Sequence, residues 1–468
     1  MSVAEHGKTV GDGLDLPLAP RERIERPEQA GRGRDSRKIV PRSALGAWDP
    51  GQRGHDALAT VLAQNALRAP DLVPIRMARM AASPWTFYRG GAAIMAADLA
   101  SRPNTGIGVQ LCGDAHVLNF GMWASPERNL VFDLRDFDET LPGPFEWDLQ
   151  RLVASLVVLG RDNGVPAARS DAAVAATSAA YRRAMAEYAR TPELDIWYER
   201  VDVEDFLGYF GPRAQELARK EIRRGSVKRT SRGAFGKFTE IRDGRRRITE
   251  LPPFRVAVGG DQRRLVGAVV HDYAESVPDH IWSLLTRFRV VDVARQVVGV
   301  GSVGMRVYLA LLEERRTGDP FFIQVKQAGR SVYEDFLAPS RYDNHGSRVA
   351  HGQRMLQSTT DKFLGWTSVD GMDFYVRQFR DMKITADGAL VAPQLEQFAT
   401  ACARVLARAH ARSGDAARIA DYLGRSERTD TALVVFARAY ADQNERDHAQ
   451  LVAAIADGTV DAHEVGWA

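Results

Sequence analysis

The chain has 468 residues, 45% hydrophobic and 26% charged, with a formal net charge of +3. Those are the proportions of an ordinary globular protein long enough for two or three cores. So small a charge gives no bulk attraction to nucleic acid or to a membrane, and neither is expected as a partner. The two cysteines, Cys112 and Cys402, match no disulfide or zinc pattern, which points to a reducing, cytoplasmic setting. No signal-peptide-like apolar core and no run of 18 or more apolar residues occurs.

Residues 1–45 are rich in Arg, Glu, Gly and Pro and are expected to form a disordered tail. The stretch 46–195 opens with apolar residues at helical spacing (Leu58, Val61, Leu62, Leu67) that stop at Pro70. Ser83-Pro84 then N-caps a helix carrying Arg89, read first as a solvated arginine and second as an anion clamp. Val109 to Gly121 reads as a strand that turns at Gly113 and presents Asp114, His116 and Asn119. Leu130 to Glu139 reads as a second strand bearing Asp133, Asp136 and Asp138. Residues 196–280 form a basic insertion with a helix and a hairpin turning at Asp243-Gly244, most simply a solvated face. In 281–385 the period shifts to strands: Val290–Val298, a glycine-rich turn, Arg306–Glu313, then Phe321–Gln327 with Lys326. A short helix from Ser331 carries Glu334, and Phe374–Arg380 is a further strand. Residues 386–468 are helical, beginning with Leu395–His410.

The acids, the amide and the histidine gathered after the first strand suit hard-cation binding and proton acceptance from a hydroxyl. A zinc site would need further His or Cys at ligand spacing, and none follows. The turn Gly299-Val-Gly-Ser-Val-Gly304 lacks the following helix that a dinucleotide-binding turn requires. Strand, glycine turn, strand and lysine is instead the order in which a kinase covers and contacts phosphates.

Together these motifs resemble the aminoglycoside phosphotransferase and protein-kinase-like superfamily. Within it, the chain looks like the bacterial family called domain of unknown function twenty-two fifty-two. The second likeness runs through Ser83-Pro-Trp-Thr-Phe-Tyr-Arg-Gly, Cys112-Gly-Asp-Ala-His, Asp136-Phe-Asp-Glu-Thr-Leu-Pro-Gly-Pro-Phe-Glu-Trp-Asp-Leu and Phe374-Tyr-Val-Arg-Gln-Phe-Arg-Asp-Met-Lys383. The resemblance implies an α+β, bilobal, kinase-like fold with a small antiparallel sheet and a larger helical lobe. Because the catalytic motif precedes the glycine turn, that fold would be circularly permuted. It also implies ATP and Mg2+ as cofactors. Asp114 would be the base, assisted by His116 and Asn119. Asn119 and Asp136 would bind the metal, with Asp133 and Asp138 as rivals to Asp136. The nucleotide would meet Gly299, Gly301, Ser302, Gly304, Gln378 and Lys326, the last paired with Glu334. The expected function is phosphoryl transfer to an unidentified hydroxyl-bearing acceptor. Nucleotidyl transfer on the same fold, and a non-catalytic nucleotide- or nucleic-acid-binding protein, are the alternatives.

Overall fold

Alternation of Val, Ile, Leu, Phe and Tyr through residues 288–378 builds an antiparallel sheet of six strands. Its spatial order is Gly365–Val369, Met372–Gln378, Pro320–Ala328, Val307–Glu314, Phe288–Gln296 and Arg255–Ala257. The computed structural model describes residues 33–463 apart from 229, 230, 298, 300, 302, 380, 381 and 385. Four of these strands fall within two residues of their predicted limits, and Gly365–Val369 and Arg255–Ala257 were not predicted. Side chains alternate between faces as a period of two demands. Tyr308, Ala310 and Leu312 pack with Ile323, Val325 and Phe374 against Val266, Val269 and Tyr273 of the helical segment 260–276 that precedes these strands. Leu309 and Leu311 face the other way, onto Phe322, Phe238 and Ile248. The last two belong to the basic insertion, whose hairpin pairs Thr239–Arg242 with Arg245–Ile248. Asp243 (φ 53°) and Gly244 (φ 69°) form its turn, as the Asp-Gly signal predicts.

The rest of the protein is mainly helical, making the whole a mixed α+β structure. Helix Phe145–Asp162 is buried over its first sixteen residues, its buried Glu146, Asp148 and Arg151 each taking hydrogen-bond partners. Helices Ala167–Tyr188 and Leu395–Ser413 join it in one core, where small residues such as Ala399, Ala403 and Ala407 are fully buried. His410, expected as a structural histidine, is fully buried and bonds Tyr181 Oη through Nδ1 at 2.7 Å.

Two sequence expectations are corrected here. Residues 33–45 are not part of a tail: Gly33–Ile39 and Arg42–Gly46 are helical, and Val40 and Leu45 are buried in the main core. Arg34 Nε donates to Asp421 at 2.8 Å and Arg42 Nη1 to the Leu423 carbonyl at 2.7 Å. Charged residues that looked disordered locally thus have partners near the other end of the chain, while residues 1–32 lie outside the described part. The second acidic strand is also shorter than expected, spanning Leu130–Leu134. Asp136 and Asp138 therefore stand on the segment after it, free to aim at the cleft.

Candidate active site

The site begins where strand Gly108–Leu111 ends. Gly113 has φ 86°, and a Cβ there would meet the Glu139 carbonyl oxygen at 2.4 Å, so only glycine fits. Asp148, in the first turn of helix Phe145–Asp162, accepts from Cys112 N (2.7 Å) and Gly113 N (3.1 Å). His410 Nε2 lies 3.3 Å from the same carboxylate. The turn is thereby anchored to two buried helices. Asn119 donates its Nδ2 to the Asp114 carbonyl at 2.7 Å, which directs its own carbonyl oxygen elsewhere.

The Asp114 carboxylate is held by Arg151, at 2.9 Å to Nε and 2.8 Å to Nη2. Arg151 is fixed in turn: Nη2 donates to the Tyr88 carbonyl at 2.8 Å, and its guanidinium stacks 4.1 Å from the Tyr88 ring centroid. Burial pushes the Asp114 carboxyl up, Arg151 opposes this, and Asp136 adds a smaller upward push. His116 Nε2 stays 3.9 Å from Asp114, and its Nδ1 is buried without a hydrogen-bond partner among the described residues. Burial, with Arg89 and Arg151 nearby, holds His116 well below the usual histidine range, so it is neutral.

The three aspartates of the acidic segment have three different fates. Asp133 is fully buried, and both its oxygens are used. Arg408 Nη2 (2.5 Å) and Leu134 N (2.9 Å) donate to Oδ1; Ser358 N (2.8 Å) and Oγ (2.9 Å) donate to Oδ2. That removes Asp133 from the metal candidates. Asp138 receives Lys326 Nζ on Oδ2 and Tyr375 Oη on Oδ1 at 2.8 Å. Lys326 and Tyr375 face each other across paired strands, which is why both reach one carboxylate. Burial pushes the Asp138 carboxyl up, but Lys326 outweighs it and holds the group below the usual range. The Lys326 ammonium is correspondingly held above its usual range, Asp138 more than offsetting the effect of burial. Asp136 keeps its Oδ1 buried and without a hydrogen-bond partner.

The expected pairing of Lys326 with Glu334 is therefore replaced by Lys326 with Asp138. Glu334 caps its own turn instead, accepting from Ser331 N (2.9 Å) and Ser340 N (3.2 Å), too close in sequence to Lys326 to fold back onto it. Arg89, read first as solvated, is also corrected: the residue is only partly exposed, its Nε is buried, and the carboxylates of Asp114 and Asp136 act on it.

The glycine turn leans on the preceding helices. Gly299 O accepts from Arg79 Nη1 (2.9 Å), Gly301 O from Arg68 Nη1 (2.8 Å), and Gly304 O from Ala69 N (2.8 Å). Gly299 and Gly304 have φ of 62° and 91°, conformations that suit glycine; Ser302 lies outside the described residues. Gly301 shares a cavity of about 970 Å³ with Arg68, Gln327, Asp138 and Glu139. Burial pushes the Glu139 carboxyl up to about 7, although Val332 N donates to it at 2.8 Å. Gln378 lies apart from this cavity, with Arg135, Arg377 and Lys383 around a pocket of about 70 Å³.

Sequence reasoning therefore placed Asp114, Asn119, Asp136, Lys326 and the glycine turn in one neighbourhood, and missed Arg151, Tyr375 and Glu139. The Asp148-Leu149-Gln-Arg151 spacing, one helical turn, was a usable signal for Arg151. Nothing local could have paired Tyr375 with Asp138, 237 residues away. Among the described residues no three His, Cys, Asp or Glu side chains cluster as a metal site. Asp136, whose Oδ1 takes no hydrogen bond among the described residues, and the Asn119 amide are oxygen donors of the kind Mg2+ takes, one or two from protein with water and phosphate completing the shell. No helix among the described residues is long and apolar enough to cross a membrane.

Fold and site together define an α+β protein whose acidic turn, buried lysine and glycine turn are gathered from widely separated segments. A profile of the bacterial family described as "Uncharacterized protein conserved in bacteria" (DUF2252) matches residues 68–454, and the chain belongs to that family. No curated protein and no solved structure matches it.

Proposed function

We propose that the cleft transfers the γ-phosphoryl group of ATP, with Mg2+, to a hydroxyl-bearing acceptor, on a circularly permuted kinase-like fold. The observation that carries this is that Asp114 and Lys326 both lie within electrostatic reach of Asp136, and that Asp138, the partner of Lys326, lines a cavity with Gly301. Lys326 feels Asp136 as well as its partner Asp138, although about 190 residues separate them in the chain. Phosphoryl transfer asks a protein mainly to position groups and neutralise charge, and these are the parts it uses. Asp114 would accept the acceptor's proton, oriented for it by Arg151 and Asn119. Lys326 would contact the nucleotide phosphates, and the glycine turn would cover them. Asp136 and Asn119 would hold the Mg2+, which when bound neutralises charge on the phosphates. Two further observations support the fold reading. The two strands that flank the glycine turn, the strand bearing Lys326 and the 372–378 strand belong to one antiparallel sheet. Helix Leu395–Ser413 packs beside the Asp114 turn, with Cys402 Sγ 4.0 Å from the Val117 carbonyl oxygen.

Incubating the protein with ATP labelled at the γ or the α position, with and without Mg2+, tests the reading. Transfer or release of γ label that needs Mg2+ is expected. Transfer of α label would make the enzyme a nucleotidyl transferase, and no turnover of either label would exclude catalysis with ATP.

A further inference from the structure

Helix Pro84–Gly90 is held rigidly: Ser83 and Thr86 form a capping box, Trp85 meets the His116 ring edge-on at 5.5 Å, and Tyr88 is stacked on Arg151. Its last side chain before Gly90 is Arg89. The residue is only partly exposed, and its Nε is buried with no hydrogen-bond partner among the described residues. A buried arginine nitrogen left unsatisfied costs stability and calls for an explanation, such as a ligand that completes it. Two independent placements say where that ligand would sit. The carboxylates acting on Arg89 are those of Asp114 and Asp136, and Asp114 is already bonded to Arg151. The Arg89 carbonyl lies 3.4 Å from where a Cβ on Gly301 would stand, so the helix end abuts the glycine turn.

We propose that Arg89 is a catalytic residue that contacts the phosphoryl group in flight and neutralises its charge, an arginine supplied within the same chain. This rests on the phosphotransfer reading above. In the step, the acceptor oxygen bonds to the γ-phosphorus as the bond to the β–γ bridging oxygen breaks. The electron pair leaves with ADP and the acceptor's proton passes to Asp114. Arg89 gives and takes no proton; its planar fork faces the phosphoryl oxygens, whose charge is spread in the transition state.

The test compares wild type, Arg89→Met and Arg89→Lys in the full chain. It measures melting temperature, calorimetric affinity for ADP·Mg2+ with and without aluminium fluoride, and release of γ-labelled phosphate to water. Wild type should bind ADP with aluminium fluoride, a mimic of the transferring phosphoryl group, more tightly than ADP alone. Arg89→Met should keep its ADP affinity within about threefold, lose that extra tightness, and release phosphate about 10²-fold or more slowly. Arg89→Lys keeps the charge without the fork; it should remain folded and still lose at least about tenfold. Parental behaviour of both variants overturns the assignment while leaving the phosphotransfer reading intact. Equal loss of ADP affinity and turnover in a folded variant also overturns it, since Arg89 would then be a ground-state clamp. A wild type that neither distinguishes the mimic nor releases phosphate overturns the phosphotransfer reading and this assignment with it.

Discussion

Asp133 and Asp136 lie three residues apart on one segment and do opposite things. Asp133 is fully buried with both oxygens engaged by Arg408, Ser358 and its own backbone. Among the described residues Asp136 leaves a buried oxygen without a hydrogen-bond partner, and Arg89 and His116 nearby each leave a buried nitrogen in the same condition. A fold closes its structural polar groups and leaves open those that meet a ligand. Asp133 and Asp148 in the helical core are carboxylates of the first kind, and Asp136 is of the second.

The largest expected effect comes from breaking a closed pair. Asp133→Ala leaves Arg408 charged in the core, and removing one partner of a buried ion pair typically costs about 3–5 kcal/mol. Denaturant unfolding should show that loss, whereas Asp136→Asn should shift the midpoint little. Equal destabilisation by the two would erase the contrast. Turnover should show the converse. Asp114→Asn and Asp136→Asn should each lower γ-phosphate release at least about 10²-fold, Asp136→Asn at nearly unchanged melting temperature and Asp114→Asn with a lowered one, because it uncharges the partner of buried Arg151. A fully active variant would strike that residue from the site.

Glu139 sharpens the comparison through pH. Its carboxyl is raised in the folded protein to about 7, above an ordinary value of 4.5, so the folded state holds the proton more tightly. The resulting stabilisation is complete below about pH 4.5 and is lost as pH rises through about 7, on the order of 2 kcal/mol for a partly accessible group. Glu139→Gln should flatten the fall in unfolding free energy over that interval; an unchanged slope would assign it to another group. The smallest effect is that of Lys326→Ala, expected to weaken ATP binding about tenfold, as loss of one phosphate contact would. Because Lys326 is already paired with Asp138, an unchanged affinity would mean that the pair never opens to the nucleotide.

The turn Gly113-Asp-Ala-His-Val-Leu-Asn119 was legible in the sequence because its chemistry and its backbone demand sit at one local spacing. The strands were legible for the same reason, their period of two being visible in a few residues. What was not legible depends on distant partners. Asp133 reads as a metal ligand until Arg408, 275 positions away, closes on it. Glu334 reads as the partner of Lys326 until Asp138, 188 positions away, takes that place. Arg89 reads as solvated until the fold buries its Nε and sets Asp114 and Asp136 to act on it. Local pattern fixes which groups are present, and only the packed fold decides which of them stay open.

The central claim is that the open groups of the cleft hold a nucleotide with its metal. Calorimetric titration of ATP into wild type and Asp136→Asn, each with and without Mg2+, tests it most directly. The account expects wild-type affinity to strengthen at least about tenfold with Mg2+ and Asp136→Asn to lose that gain while remaining folded. An Asp136→Asn variant that binds Mg2+·ATP as the parent does, or a parent that binds no ATP in either condition, would contradict it.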